Sequence, residues 1–295
     1  RLTDSGLSIT EWEVIQGTLP PLNPEQWDEA FEKYKIAARR QYETLHKDMT
    51  LSEFKVIYFW EYFHRLWARM IGLVFFFPFV YFMWKKMIPG WLVRRLGVVI
   101  LLAITAATFG WIMVASGLNE DTRTWVSAYK LVAHLSIATT LFGYLFWTWL
   151  KASQPSAADG HFRALKRNAW GITGVLIIQI IFGGLMAGMR AGLIHPHFPY
   201  FVQGARFVES LMSSGVDAGS LVNYEPALSI KAWVQVFHRA TAYLLVILII
   251  QFFVKARKMY LSRQLYIGIH VLISLLVIQF SLGVLTIINS IGRIP

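Results

Sequence analysis

Six stretches of this chain are each long and apolar enough to cross a lipid bilayer, and that narrows the fold before anything else does. A helix needs roughly 20 apolar residues to span the hydrocarbon, and residues 56–84, 96–118, 126–150, 168–189, 231–254 and 265–289 all qualify. None has the form of a cleaved signal peptide. Of the 295 residues 56% are hydrophobic and 15% charged, whereas a soluble domain carries about 25% charged residues. A disordered chain and an ordinary cytosolic protein are thereby excluded. The fold class is all-α, a polytopic membrane protein.

The formal net charge of +11 is mostly a topology signal. The loops after the first, third and fifth spans hold Lys85, Lys86, Arg94 and Arg95, then Lys151, Arg163, Lys166 and Arg167, then Lys255, Arg257, Lys258 and Arg263, against one acid, Asp159. Short basic loops stay on the cytoplasmic side, or the matrix side in a mitochondrion. A nucleic-acid partner is not needed to explain the charge. There is no Cys, which excludes disulfides, cysteine-held zinc, iron–sulfur clusters and thiol catalysis. Any metal must be held by His, Met, carboxylates or a cofactor.

The opposite, outer face holds residues 1–50, a short loop at 119–125 and a longer one at 190–230, so residue 1 is outside. Asn23 ahead of Pro24 marks a helix start, and Trp27, Phe31 and Tyr34 recur at helical spacing. That pattern predicts an amphipathic helix on the outer surface. Thr50 and Glu53 form a capping box that starts the first span's helix near residue 51.

An internal repeat follows. Tyr62-Phe63-His64-Arg65 and Val236-Phe237-His238-Arg239 each sit in the outer half of a span that follows a long outer loop. Those loops open alike, with Arg1 before Gly6-Leu7 and Arg190 before Gly192-Leu193. The expectation is two pseudo-symmetric four-helix bundles, 1–150 and 151–295, with six of eight spans visible. A first span before Arg1 and an eighth carrying a fourth membrane histidine, beyond residue 295, would complete the pattern.

Ionisable residues inside spans are functional candidates by default. His64, His134 and His238 share one level, about 10–12 Å below the outer surface at 1.5 Å per residue. His270 lies some 15–20 Å deeper by the same rise, so it cannot share an iron with His238. One histidine on each of two helices at equal depth is what clamping a haem between axial imidazoles requires; the alternative for any one of them is a packed polar residue. Glu61, one turn outward of His64 on a similar face, could stand at a haem edge and handle protons. Glu61, Arg65 and Arg69 also follow at spacings of four, which allows a plain ion-pair ladder. In the functional reading Arg65, Arg69 and Arg239 steady haem propionates. His195-Pro196-His197 lacks a third ligand and reads as a surface loop. Gly183, Gly184 and Gly188 permit close helix packing or room for a flat macrocycle.

The chain resembles heme A synthase, in the class found in mitochondria and many proteobacteria. The resemblance rests on Arg1-Leu2-Thr3-Asp4-Ser5-Gly6-Leu7-Ser8, Pro20-Pro21, Met49-Thr50 with Glu53-Phe54-Lys55, Trp60-Glu61-Tyr62-Phe63-His64-Arg65, Gly110-Trp111 with Ser116-Gly117-Leu118, Val126-Ser127 through His134-Leu135, Ala187-Gly188 with Ala191-Gly192-Leu193, and Phe237-His238-Arg239. It implies oxidation of the C8 methyl of heme O to the formyl group of heme A, supplying cytochrome oxidase. By that resemblance the catalytic set is Glu61, His64 and His134. The first half receives heme O between His64 and His134, and His238 is an axial ligand of a heme b in the second half. The cysteine pair some members carry in the outer loop is absent here.

The partners so implied are heme O synthase and cytochrome oxidase assembly factors, with a homo-oligomer left open and no nucleic acid. The membrane is the bacterial cytoplasmic (inner) membrane, or the mitochondrial inner membrane as the alternative. The competing function is a non-catalytic bis-histidine membrane cytochrome b for electron transfer or haem sensing.

Overall fold

The computed structural model describes residues 6–11, 19–118, 124–154, 163–199, 204–213, 216–259 and 261–290. Arg1 to Ser5, most of the 119–125 loop, Asp159 and residue 295 lie outside them. Among the described residues the regular structure is entirely helical: α1 (Pro24–Ala37), α2 (Arg39–Leu45), α3 (Leu51–Trp84), α4 (Gly90–Ala115), α5 (Ala128–Ser153), α6 (Arg163–Gly188), α7 (Gly204–Met212), α8 (Ala218–Val222), α9 (Leu228–Arg257) and α10 (Arg263–Ser290). Six of these, α3, α4, α5, α6, α9 and α10, are long and apolar enough to cross a membrane. Large apolar side chains such as Trp67, Phe77, Leu101, Phe142 and Val277 are more than half exposed along them, the surface that lipid covers. The chain is an integral membrane protein, and it divides into two compact units, Arg1–Ser156 and Ala157–Pro295.

In the first unit α4 and α5 pair along their lengths, while α3 meets α4 more sparingly and carries α1. The 34 residues of α3 rise about 50 Å at 1.5 Å each, well beyond a hydrocarbon core of about 30 Å. The excess places its first turns outside the lipid. The capping box forms there as expected, Thr50 Oγ1 accepting from Glu53 N–H and the Glu53 carboxylate from Thr50 N–H.

The amphipathic segment is helical as its spacing predicts, with the Asn23 side chain capping Gln26 N–H. Its aromatic face turns onto α3 rather than onto a membrane surface. Phe31 stacks on Phe54 at 4.9 Å between ring centroids, and Tyr34, fully buried, packs against Phe54 and bonds His46 Nδ1 at 2.6 Å. Leu7, Ile57 and Val126 complete this core. Gly117 is forced by it, since a Cβ there would lie 2.9 Å from Leu7 Cδ2 and 3.1 Å from Val126 N.

In the second unit α6 and α9 pair, α10 and α7 pack on α9, and Ile172, Leu245 and Ile249 form the core. After α6 the chain reverses through Arg190, whose φ of 53° is left-handed, into a 3₁₀ turn, Ala191–Leu193.

Truncating a buried Phe costs about 3–5 kcal/mol, so Phe54→Ala should release α1 and α2 while the spans stay folded. Limited proteolysis of the solubilised protein should then show faster cleavage within residues 39–47 and intact spans.

Candidate functional site

In the first unit the site begins about 15 Å along α3, counting ten residues from Leu51 to Glu61 at 1.5 Å each. Glu61 is 7% exposed. A carboxylate so buried must find donors inside the protein, and three converge on it: Ser8 Oγ at 2.8 Å, Ile9 N–H at 3.1 Å and Arg65 Nη2 at 2.6 Å. The ion-pair reading of the Glu61–Arg65 spacing thus holds as geometry, with the two side chains only 8% and 14% exposed. Arg65 goes further and donates to two main-chain carbonyls, Ile9 at 3.0 Å and Glu11 at 3.1 Å. Arg69 is half-buried one turn further along α3.

His64 follows on the same helix with its side chain exposed, and His134 stands half-buried on α5. The ring of His134 is fixed by its Nδ1, 2.9 Å from the Ala106 carbonyl. A carbonyl only accepts, so Nδ1 carries the proton and the Nε2 lone pair is available to a metal. Gly110 lies against this ring, and a Cβ there would sit 3.1 Å from Cε1 and 3.3 Å from Nδ1.

The second unit repeats much of this. His238 on α9 has a glycine against it too, Gly183, where a Cβ would lie 3.4 Å from Cε1. Its Nε2 meets the Gln179 amide at 3.4 Å, and the Gln179 carbonyl oxygen takes the Thr241 hydroxyl. The Nδ1 of His238 is buried with no hydrogen-bond partner. Arg239, beside it, is buried and donates through Nη2 to the carbonyls of His195 at 2.7 Å and His197 at 2.9 Å. Gln235 Nε2 donates to the His195 carbonyl at 2.9 Å.

His195 departs from the surface-loop expectation. It is 2% exposed, because its carbonyl is drawn down by α9 and its ring is covered by Phe207 and Ser210 of α7. Ser210 Oγ donates to the Phe207 carbonyl, so at 3.0 Å it accepts from His195 Nε2–H. His197 is exposed. His270 donates from Nδ1 to the Tyr266 carbonyl and packs on Phe253, fifteen residues from His238 along α9, or about 22 Å.

Among the described residues no three His, Asp or Glu side chains gather as a metal site. Pairs of imidazoles suffice where a macrocycle supplies the other ligands. Residues that motif reading passed over are Ser8 and Ile9, Gln179 and Gln235. The repeat holds the signal for the last: Gln235 stands four before Arg239 as Glu61 stands four before Arg65.

Together these features define an all-helical integral membrane protein with a membrane-level histidine and a buried arginine in each of its two units. The chain belongs to the family described as cytochrome oxidase assembly protein (COX15-CtaA), whose model matches residues 1–292. It is 39% identical to the heme A synthase of Flavobacterium johnsoniae over 291 residues, covering 99% of this chain and 83% of that protein. It is 38% identical to the heme A synthase of Nitrosomonas eutropha over 302 residues, 99% of this chain and 80% of that protein. The same enzyme of a Bradyrhizobium strain is 38% identical over 289 residues, 98% and 77%. No solved structure matches the chain.

Burial first, then the charges of Arg239 and His197, hold the His195 imidazole below its ordinary pKa, so it folds neutral. Its contribution to stability is complete above the unfolded value of about 6.5 and is lost as pH falls through the lowered folded value. Thermal unfolding of the solubilised protein should show a midpoint that drops on acidification below about pH 6, with a flatter profile in His195→Gln.

Proposed function

We propose that this protein is a heme A synthase, converting heme O to heme A by oxidising the C8 methyl to a formyl group and so supplying cytochrome oxidase. The observation that carries the reading is the near-full-length identity to heme A synthases, on a chain whose first unit carries His64 one helical turn from a buried glutamate. The substrate is heme O, its iron held by His64 and His134. The proton-bearing Nδ1 of His134 on Ala106 supports ligation through Nε2. Arg65, Arg69 and Arg239 supply positive charge for propionates.

Two hydroxylations of the methyl carbon give a geminal diol, and loss of water leaves the aldehyde. Balanced with water as the formal oxygen source, each hydroxylation exchanges a C–H bond for a C–O bond and releases two protons and two electrons, the electrons to an external acceptor. Glu61 is the residue that moves the proton leaving the C–H bond. Its carboxylate is kept in one orientation by Ser8, Ile9 and Arg65, the kind of preorganisation that general acid–base catalysis uses.

His238 would hold a heme b in the second unit, where it sits beside a glycine that leaves its ring uncovered and keeps a buried Nδ1 without a partner. When bound, that group supplies one-electron chemistry. The membrane is the bacterial cytoplasmic membrane, with the basic loops inside; bacterial relatives support this. Heme O synthase and oxidase assembly factors are the partners this role calls for.

The test is to produce the full-length protein with a heme O source and identify the extracted haems by mass. Glu61→Gln should retain haem but cut heme A by about a hundred-fold, the scale of a lost proton-transfer group, with heme O or a hydroxylated haem accumulating. Normal heme A in that variant removes Glu61 from the chemistry. Bound haem that the unsubstituted protein never converts would make it an electron-transfer cytochrome.

A further inference from the structure

The two units solve one local problem in the same way, although their sequences agree there in little beyond a Phe-His-Arg run and a Gly-Leu pair. In the first, Arg65 donates to the carbonyls of Ile9 and Glu11. In the second, Arg239 donates to those of His195 and His197. Each arginine takes two carbonyls two residues apart, and each pair starts three residues after the Gly-Leu repeat, Gly6-Leu7 or Gly192-Leu193. The residue one turn before the arginine joins in. Glu61 can only accept, and it takes the N–H of Ile9; Gln235 can donate, and it reaches the carbonyl of the equivalent residue, His195.

We propose that Arg65 and Arg239 are positioning residues, each clamping its outer segment through main-chain carbonyls onto the helix turn that carries the neighbouring histidine. In the first unit the clamp also fixes Glu61, because Ile9 bonds Glu61 through its N–H and Arg65 through its carbonyl. What the clamp is for rests on the haem reading above; that it exists does not. The acceptors are main-chain atoms, so the clamp itself does not depend on the side chain at 11, which pairs with Lys33, or on that at 197, whereas the guanidinium is required: an ammonium is a point donor without the fork.

Hydrogen exchange by mass spectrometry on the haem-depleted full-length protein tests it. Arg65→Gln should speed exchange in residues 6–11 by about ten-fold, as expected for losing charge-assisted bonds, and leave 191–199 unchanged; Arg239→Gln should do the reverse. Arg→Lys should restore part of the protection, and His197→Ala, which removes no acceptor of the clamp, should leave exchange in 191–199 unchanged. Unchanged exchange in both glutamine variants overturns the proposal, and so does acceleration spread evenly over all spans. Should a glutamine variant fail to accumulate, the lysine variant carries the same readouts. In the active protein Arg65→Lys should lower kcat for heme O with KM held, as misplacing Glu61 requires. A raised KM with kcat intact means the arginine serves only the propionates and overturns the positioning role. Exchange is read without haem, so its outcome stands even if the full-length protein makes no heme A.

Discussion

A charge held within a membrane-spanning helix has to be answered inside the protein, because lipid offers neither a counter-ion nor a hydrogen bond. Both functional regions are organised by that demand. Glu61, Arg65 and Arg239 sit where α3 and α9 carry their histidines, and each is met by backbone or side-chain partners drawn down from an outer segment. The outer segments are therefore attached to the membrane helices through polar contacts at the histidine level. Apolar packing of α1 on α3 adds a second attachment nearer the surface in the first unit.

Beside the two arginines the units differ by a change of atom type. At the position one turn before the arginine the first has a carboxylate and the second an amide. The amide keeps the contact to the outer segment and has no proton to exchange near neutral pH. Two regions with matching clamps thus differ in whether the group beside the arginine can exchange a proton.

The spans were legible because hydrophobic length is a one-dimensional property. The cap helix was legible too, from Asn23 and the Trp27, Phe31, Tyr34 spacing, but not its docking surface, since an apolar stripe suits a lipid or Phe54 equally well. His195 was misread for a related reason. Its burial comes from a main-chain carbonyl captured by α9 and a ring covered by α7, and main-chain contacts leave no mark on residue type. Ile9 stayed invisible on the same grounds, whereas Ser8 reaches Glu61 through its hydroxyl across 53 residues of sequence, a pairing that spacing does not reveal. Gln235 could have been found by aligning the repeat outward from its Phe-His-Arg run.

Gly110 and Ala106 stand four apart on α4, so the carbonyl that fixes His134 is the one the amide of Gly110 faces in the regular helical ladder. The imidazole reaches that already engaged oxygen across the bare backbone of the next turn, where a methyl group would be 3.1 Å from the ring. A hydrogen atom in place of a side chain on a neighbouring helix thereby decides which nitrogen of His134 is protonated and which keeps its lone pair.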